Sequence, residues 1–285
     1  MRRLAGKNAI ITGAASGIGR AIAIELARKQ CNLFLIDVNS QGLDEICQAT
    51  RYFDVEVHSC CIDLAEPTEI SQAVREATAQ FPTIDILINN AGICYYGKSV
   101  NMTQDQWSKI LAVNLSAPMQ LVHELLPHLL TENQSHIVNV ASMYGLFVTS
   151  KCTTYHATKF GLVGFSEALR AEYKRFGLGV TAICPGYVAT NLLNSMENQD
   201  ARATQGFPRW MRCSPETVAR RTVQAIHRNK RMVVITPAAK TCYRLRQWFP
   251  GVMASIAAMG RRKQFQTHLR QIKIHQPETQ HKRAA

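Results

Sequence analysis

An α/β fold with one doubly wound parallel sheet of about seven strands follows from three features of the 285-residue sequence. Short β-branched or apolar runs recur at Asn8–Thr12, Asn32–Asp37, Glu56–Cys60, Ile84–Asn89, His136–Val140, Val180–Cys184 and Met232–Thr236. Amphipathic stretches long enough to serve as crossover helices separate them, and strands joined in that way run parallel with both faces covered. No internal repeat or low-complexity linker divides residues 1–190, so one domain suffices.

The opening M-R-R-L-A-G-K leads into an apolar run too brief for a secretory leader, which runs straight into a glycine-rich turn and therefore reads as the first strand. In R-A-I-A-I-E-L-A-R-K, Ile22, Leu26 and the alanines share one helical face, while Glu25, Arg28 and Lys29 lie on another. Asp37 ends the second strand. Asn114, in L-A-V-N-L-S, interrupts a helical pattern, and a further helix is expected around Tyr155–Tyr173. Residues 191–213 lack clean periodicity and mix Leu, Met, Phe and Trp with polar side chains, as a lid over a pocket does. Ser214 and Pro215 restart a helix as N-cap and first helical residue. The expected organisation is one domain over 1–237 and a basic amphipathic tail over 238–285, helical until Pro277.

Charge is unevenly distributed. The formal net charge is +13, yet residues 1–200 carry 15 basic and 18 acidic side chains, against 18 and 2 in residues 201–285. That asymmetry argues against a basic nucleic-acid-binding core, and it places a cationic appendage on a near-neutral body. Nine cysteines without a C-x-x-C pair disfavour zinc and disulfide frameworks and suit a reducing compartment. No metal site is expected. No run reaches the roughly 18 apolar residues of a spanning helix, so a cytoplasmic chain is expected.

Chemistry concentrates in a few places. Gly13, Ser16, Gly17, Ile18 and Gly19 lie in the turn T-G-A-A-S-G-I-G between first strand and first helix, where glycines let a pyrophosphate approach the free N–H groups of a helix N-terminus. The spacing is not G-x-G-x-x-G, and a tight turn without ligand is the plainer alternative. Asp37 suits the adenosine ribose diol and opposes a 2′-phosphate, which favours NAD; Arg20 keeps NADP as the alternative, and a helix-capping Asp is the plain one. Tyr155 and Lys159, at i and i+4, meet on one helical face. A phenol with a pKa near 10 is a poor base at neutral pH, and a neighbouring ammonium together with a nicotinamide's positive charge is expected to stabilise its phenolate. Ser142 sits at the carboxyl end of a strand, where its hydroxyl can hold a substrate oxygen or merely cap a loop.

In order along the chain, T-G-A-A-S-G-I-G, Asp37, Asp63-Leu64, Asn89-Asn90-Ala91-Gly92, Asn114, Ser142, Tyr155-His156-Ala157-Thr158-Lys159 and Pro185-Gly186 with Thr190 resemble the classical short-chain dehydrogenase/reductase family over about residues 6–190. Weaker similarity continues from Ser214 to Pro237. The resemblance implies a Rossmann-type domain with the catalytic tetrad Asn114, Ser142, Tyr155 and Lys159. Asn114 would place a water beside Lys159 through its backbone or its amide, a simple helix kink being the alternative. The resemblance also puts Asp63 and Leu64 around the adenine, Asn90, Ala91 and Gly92 along the cofactor, and Pro185, Gly186, Val188 and Thr190 at its nicotinamide end. Ser142, Tyr155 and Cys94, with Tyr95 and Tyr96, face substrate, and His156 is read as structural.

The expected function is reversible hydride transfer between NAD(H) and a secondary alcohol/ketone or an aldehyde. The apolar lid and tail point to a lipophilic substrate of steroid, retinoid or long-chain acyl type. A catalytically silent scaffold of the same fold is the rival. A homodimer or homotetramer is implied, pairing helices at Ser116–Leu130 and Tyr155–Tyr173 and covering Leu121, Leu125, Leu129 and Phe165. For the tail, Trp248, Phe249, Val252, Met253, Ile256 and Met259 with Arg244, Arg246, Arg261, Arg262 and Lys263 suggest a peripheral anchor on an anionic cytoplasmic membrane face, or a helix packed on the domain.

Overall fold

The structure, a computed structural model, describes Met1 and residues 3–131, 134–188, 192 and 212–258. Its strands are β1 (Asn8–Thr12), β2 (Asn32–Asp37), β3 (Val57–Cys61), β4 (Ile86–Asn89), β5 (Ser135–Val140), β6 (Leu178–Cys184), β7 (Tyr187–Val188), β8 (Arg212–Cys213) and β9 (Met232–Val234). Seven form one sheet in the order β3-β2-β1-β4-β5-β6-β9, with every neighbouring pair parallel. The helices are α1 (Gly17–Ala27), α2 (Ser40–Thr50), α3 (Pro67–Gln80), α4 (Gln104–Leu111), α5 (Ala117–Thr131), α6 (Thr153–Tyr173), α7 (Pro215–His227), α8 (Pro237–Trp248) and α9 (Pro250–Ala258).

The doubly wound fold is thus present, and period-two alternation divides its core. Ile10, Phe34, Ile36, Leu87, Ile137 and Val180 point to one face, under α3 and α5. Ile11, Leu33, Leu35, Ile86, Ile88 and Val138 point to the other, under α1, α2 and α7. Ile22 and Leu26 are fully buried, as the helical pattern required.

Some boundaries move for local reasons. The last strand stops at Val234 because Thr236 becomes the N-cap of α8, its Oγ1 accepting from the Ala239 N–H at 3.3 Å with Pro237 beginning the helix. The β7/β8 pair went unread because two residues carry no periodicity. It runs Tyr187 beside Arg212 and Val188 beside Cys213. Most of the expected lid lies outside the described residues, as do Met259, the basic cluster at 261–263 and the rest of the tail.

Two expectations are corrected. Leu121, Leu125 and Leu129 are buried against this chain's own sheet, so they need no second subunit to cover them. Arg246 does not project toward a surface: it donates to the Leu146 carbonyl at 2.6 Å and lies 4.6 Å from the Phe160 ring centroid. With Ala239, Cys242, Tyr243 and Met253, it fastens α8 and the start of α9 to the body.

Candidate functional site

The sheet's topology creates a crevice. From β1 the chain proceeds outward through β2 and β3, then returns to place β4 on the opposite side, so the loops after β1 and β4 diverge at their carboxyl ends. A cavity of about 900 Å³ opens there, extending past the ends of β5 and β6.

One end of the cavity is the glycine turn. Gly13 and Gly17 adopt φ of +65° and +53°, a region that side chains disfavour. Asn90 holds the turn: its amide donates to the carbonyls of Thr12 and Gly13 at 3.0 and 3.1 Å, and its own N–H donates to Thr12 Oγ1 at 3.0 Å. Ser16 occupies the N-cap of α1 but makes no capping hydrogen bond, so the first-turn N–H groups are not satisfied by a cap. Gly13, Ser16, Gly17 and Ile18 all line the cavity, and an uncapped helix N-terminus facing open space fits a diphosphate. Asp37 stands beside it. Its oxygens accept from the N–H groups of Ala15 at 2.9 Å and Asn39 at 3.0 Å, and a carboxylate retains further lone pairs for a ribose diol. Asp63 and Leu64 line the same end, with Lys109 Nζ 3.3 Å from Asp63.

Ser142, Tyr155 and Lys159 converge on the other end. Ser142 leaves β5, its Oγ accepts from the Tyr144 N–H at 3.1 Å, and it lines the cavity together with Tyr155. One turn along α6 from Tyr155, Lys159 donates to the Val140 carbonyl at 2.9 Å and lies 5.5 Å from the Tyr155 ring centroid. Burial lowers the Lys159 pKa to about 8. Pro185, Gly186 and Val188 close this end from β6. A buried hydroxyl pair with an ammonium one turn away can hold an oxygen and pass it a proton.

A family model described as short chain dehydrogenase matches residues 7–201. The chain belongs to the short-chain dehydrogenase family. It is accordingly an oxidoreductase of the NAD(P)-binding Rossmann fold. Mouse 17-beta-hydroxysteroid dehydrogenase 13 is 31% identical over 237 residues, covering 82% of this chain and 75% of the mouse protein. A short-chain dehydrogenase/reductase from Burkholderia phymatum, solved in complex with NAD, superposes with a TM-score of 0.80 at 26% identity, over 88% of this chain and 96% of that one. A putative NAD(P)-dependent gluconate 5-dehydrogenase from Beutenbergia cavernae, with NADP bound at low occupancy, has a TM-score of 0.75 at 28% identity, over 84% and 98%.

This short-chain dehydrogenase departs from the sequence reading at several positions. Asn114 does not line the cavity. It sits in a π-helical turn, Ala112–Ser116, and its amide is committed, accepting from the Ile93 N–H at 2.8 Å and donating to the Ile93 carbonyl at 2.8 Å and Thr158 Oγ1 at 3.3 Å. Of the two routes to a water, the amide one is therefore filled. Gly19 packs behind the turn instead of facing the cavity. Cys94 and Tyr96 line the cavity as expected, whereas Tyr95 is buried away from it. Tyr155 also behaves differently from expectation in the chain alone, since burial raises its pKa and outweighs the lowering by Ser142. Thr190 lies outside the described residues.

Other residues of this short-chain dehydrogenase were missed. Tyr144 and Tyr187 join hydroxyls at 2.9 Å in the cavity wall, and Cys152 lies beside Cys94. Only Tyr144 gave a signal, by standing two residues after Ser142. His156 is structural, as read: it accepts from the Thr149 N–H at 3.0 Å and contacts the Tyr144 carbonyl at 2.8 Å, bracing that wall.

Proposed function

We propose that the protein catalyses reversible hydride transfer between NAD(H) and a secondary alcohol/ketone or aldehyde, with a lipophilic substrate. The observation that carries this reading is the meeting of Ser142, Tyr155 and Lys159 in the same cavity as the glycine turn and Asp37. When bound, the nicotinamide supplies the hydride acceptor or donor. Ser142 holds the substrate oxygen and Tyr155 exchanges its proton. Lys159 binds the nicotinamide ribose, and its charge supports the phenolate once the cofactor adds its own; the backbone of Asn114 completes the relay to solvent. Asp37 favours NAD by accepting the ribose diol and repelling a 2′-phosphate.

The wall of Tyr96, Tyr144 and Tyr187, with Leu192, suits a flat apolar alcohol or ketone, and the steroid-dehydrogenase relative supports that class. Exposed Leu245, Trp248, Phe249 and Val252, beside exposed Lys240 and Arg244, support peripheral attachment to an anionic membrane surface on the cytoplasmic side. Homodimer formation rests on the family alone.

The test is NADH production with a panel of hydrophobic alcohols, run on wild type and Tyr155→Phe. Turnover is expected in wild type and its abolition in Tyr155→Phe, with NAD affinity kept within a few-fold because only the proton is removed. Equal loss of cofactor binding in a folded Tyr155→Phe protein would refute this division of labour.

A further inference from the structure

Two cysteines meet at the substrate end of the cavity. Cys94 follows β4, and Cys152 is the N-cap residue of α6, three residues before Tyr155. A backbone hydrogen bond from the Gly97 N–H to the Lys151 carbonyl, 2.8 Å long, pins their two loops together. Cys94, Cys152 and Tyr155 form one buried cluster, with Tyr96, Tyr144 and Leu192 packed around it. The Cys94 thiol donates to the Tyr95 carbonyl at 3.7 Å, and the Cys152 side chain packs in the same cluster. Of the nine cysteines, these two alone among the described residues line the cavity, and both are buried.

We propose that Cys94 and Cys152 are a modification site at which hydrogen peroxide forms a disulfide across the substrate end of the cavity. With both side chains packed in one cluster and their loops already pinned together, closure requires little backbone travel. The pair is chemically unequal. Cys152, at a helix N-terminus, is held below the usual thiol range by the neighbouring Cys94 side chain and, secondarily, by Lys151, whereas the Cys152 side chain and burial push Cys94 up. Cys152 is therefore the attacking thiolate and Cys94 the resolving thiol.

The Cys152 sulfur attacks one peroxide oxygen, and the O–O bond breaks. The hydroxide that leaves combines with the proton Cys152 released, giving water and a sulfenic acid. The Cys94 sulfur then attacks the sulfenic sulfur; the S–O bond breaks, and its oxygen departs with the Cys94 proton as a second water. Two thiols are oxidised by two electrons to one disulfide as one peroxide is reduced to two waters. The bridge ties the loop after β4 to the start of α6 beside Tyr155, while the Gly13–Asp37 cradle at the far end is untouched. Disulfide formation does not depend on the proposed hydride chemistry; only its effect on turnover rests on that reading.

The experiment treats the full chain with hydrogen peroxide, blocks remaining thiols under denaturing conditions and maps peptides by mass spectrometry. A peptide pair linked through Cys94 and Cys152 is expected, with the loss of two hydrogens, and dithiothreitol is expected to restore both thiols. In Cys94→Ser, Cys152 should stop at a sulfenic acid that a sulfenic-acid-specific nucleophile traps. Full blocking of both thiols while exposed Cys61 is oxidised would overturn the proposal. So would sulfinic acid at Cys152 with no linked peptide. On the same samples the bridged protein is expected to bind NADH within a few-fold of the reduced protein and to turn over at least tenfold more slowly; unchanged turnover would overturn the placement of the bridge across the substrate end. If the reduced protein shows no turnover at all, the hydride reading fails while the peptide map still decides the disulfide.

Discussion

Replacing Gly19 by alanine is expected to lower both stability and cofactor affinity, although alanine is the better helix former. A Cβ built on Gly19 overlaps the Gly13 carbonyl oxygen and lies 2.5 Å from Asn90 Nδ2 and 2.7 Å from the Gly13 carbonyl carbon. None of these can easily give way. Gly13 is held at φ +65°, and its carbonyl receives the Asn90 amide. Helix propensity favours alanine by about 0.8–1 kcal/mol. Overpacking against backbone costs about 1–3 kcal/mol, and disturbing the Asn90 hydrogen bond adds about 1 kcal/mol. The clash wins, by about 1–3 kcal/mol net, which for a large domain means a Tm lower by roughly 2–10 °C. Gly164 provides the contrast, for it lies exposed within α6 and, among the described residues, nothing comes within 4 Å of its built Cβ. There the propensity gain stands alone, and Gly164→Ala should raise Tm by about 2–3 °C. Calorimetry and fluorescence titration with NADH read both effects. A Gly19→Ala protein that melts at or above wild type and binds NADH equally well would show that the close approach does not require glycine.

Three further outcomes are expected. Asp37→Ser should weaken NAD by roughly 10–100-fold, about one charge-assisted hydrogen bond, and raise the relative kcat/KM with NADP; a wild type that already prefers NADP would refute this role for Asp37. Lys159 binds fewer protons folded than unfolded between its lowered pKa of about 8 and the ordinary 10.5, so the stability of wild type relative to Lys159→Met should rise with pH across that window; urea titrations showing a flat difference would contradict a buried, destabilised ammonium. Wild type should float with anionic liposomes and release in high salt, and a Trp248→Ala/Phe249→Ala double variant should stay unbound, with circular dichroism checking its fold; equal flotation of the two would remove the membrane reading.

Much of this architecture is local and therefore legible in one dimension. Strands showed themselves in short β-branched runs, α1 in the face shared by Ile22 and Leu26, and the glycine turn in its place between strand and helix. The i and i+4 spacing of Tyr155 and Lys159 already required a meeting on one helical face. What depends on register and facing between distant segments was decided only by tertiary structure. Leu121, Leu125 and Leu129 were expected under a partner subunit, and the sheet beneath α5 covers them instead. The Asn114 amide became unavailable to water only because the loop at Ile93 lies against the π-helical turn. Arg246 had the same charge as its exposed neighbours until Phe160 and the Leu146 carbonyl received it. Cys94 and Cys152 were two scattered thiols in the sequence, and they became a pair because parallel pairing brings the loop after β4 beside the start of α6, a proximity that no local pattern of residues encodes.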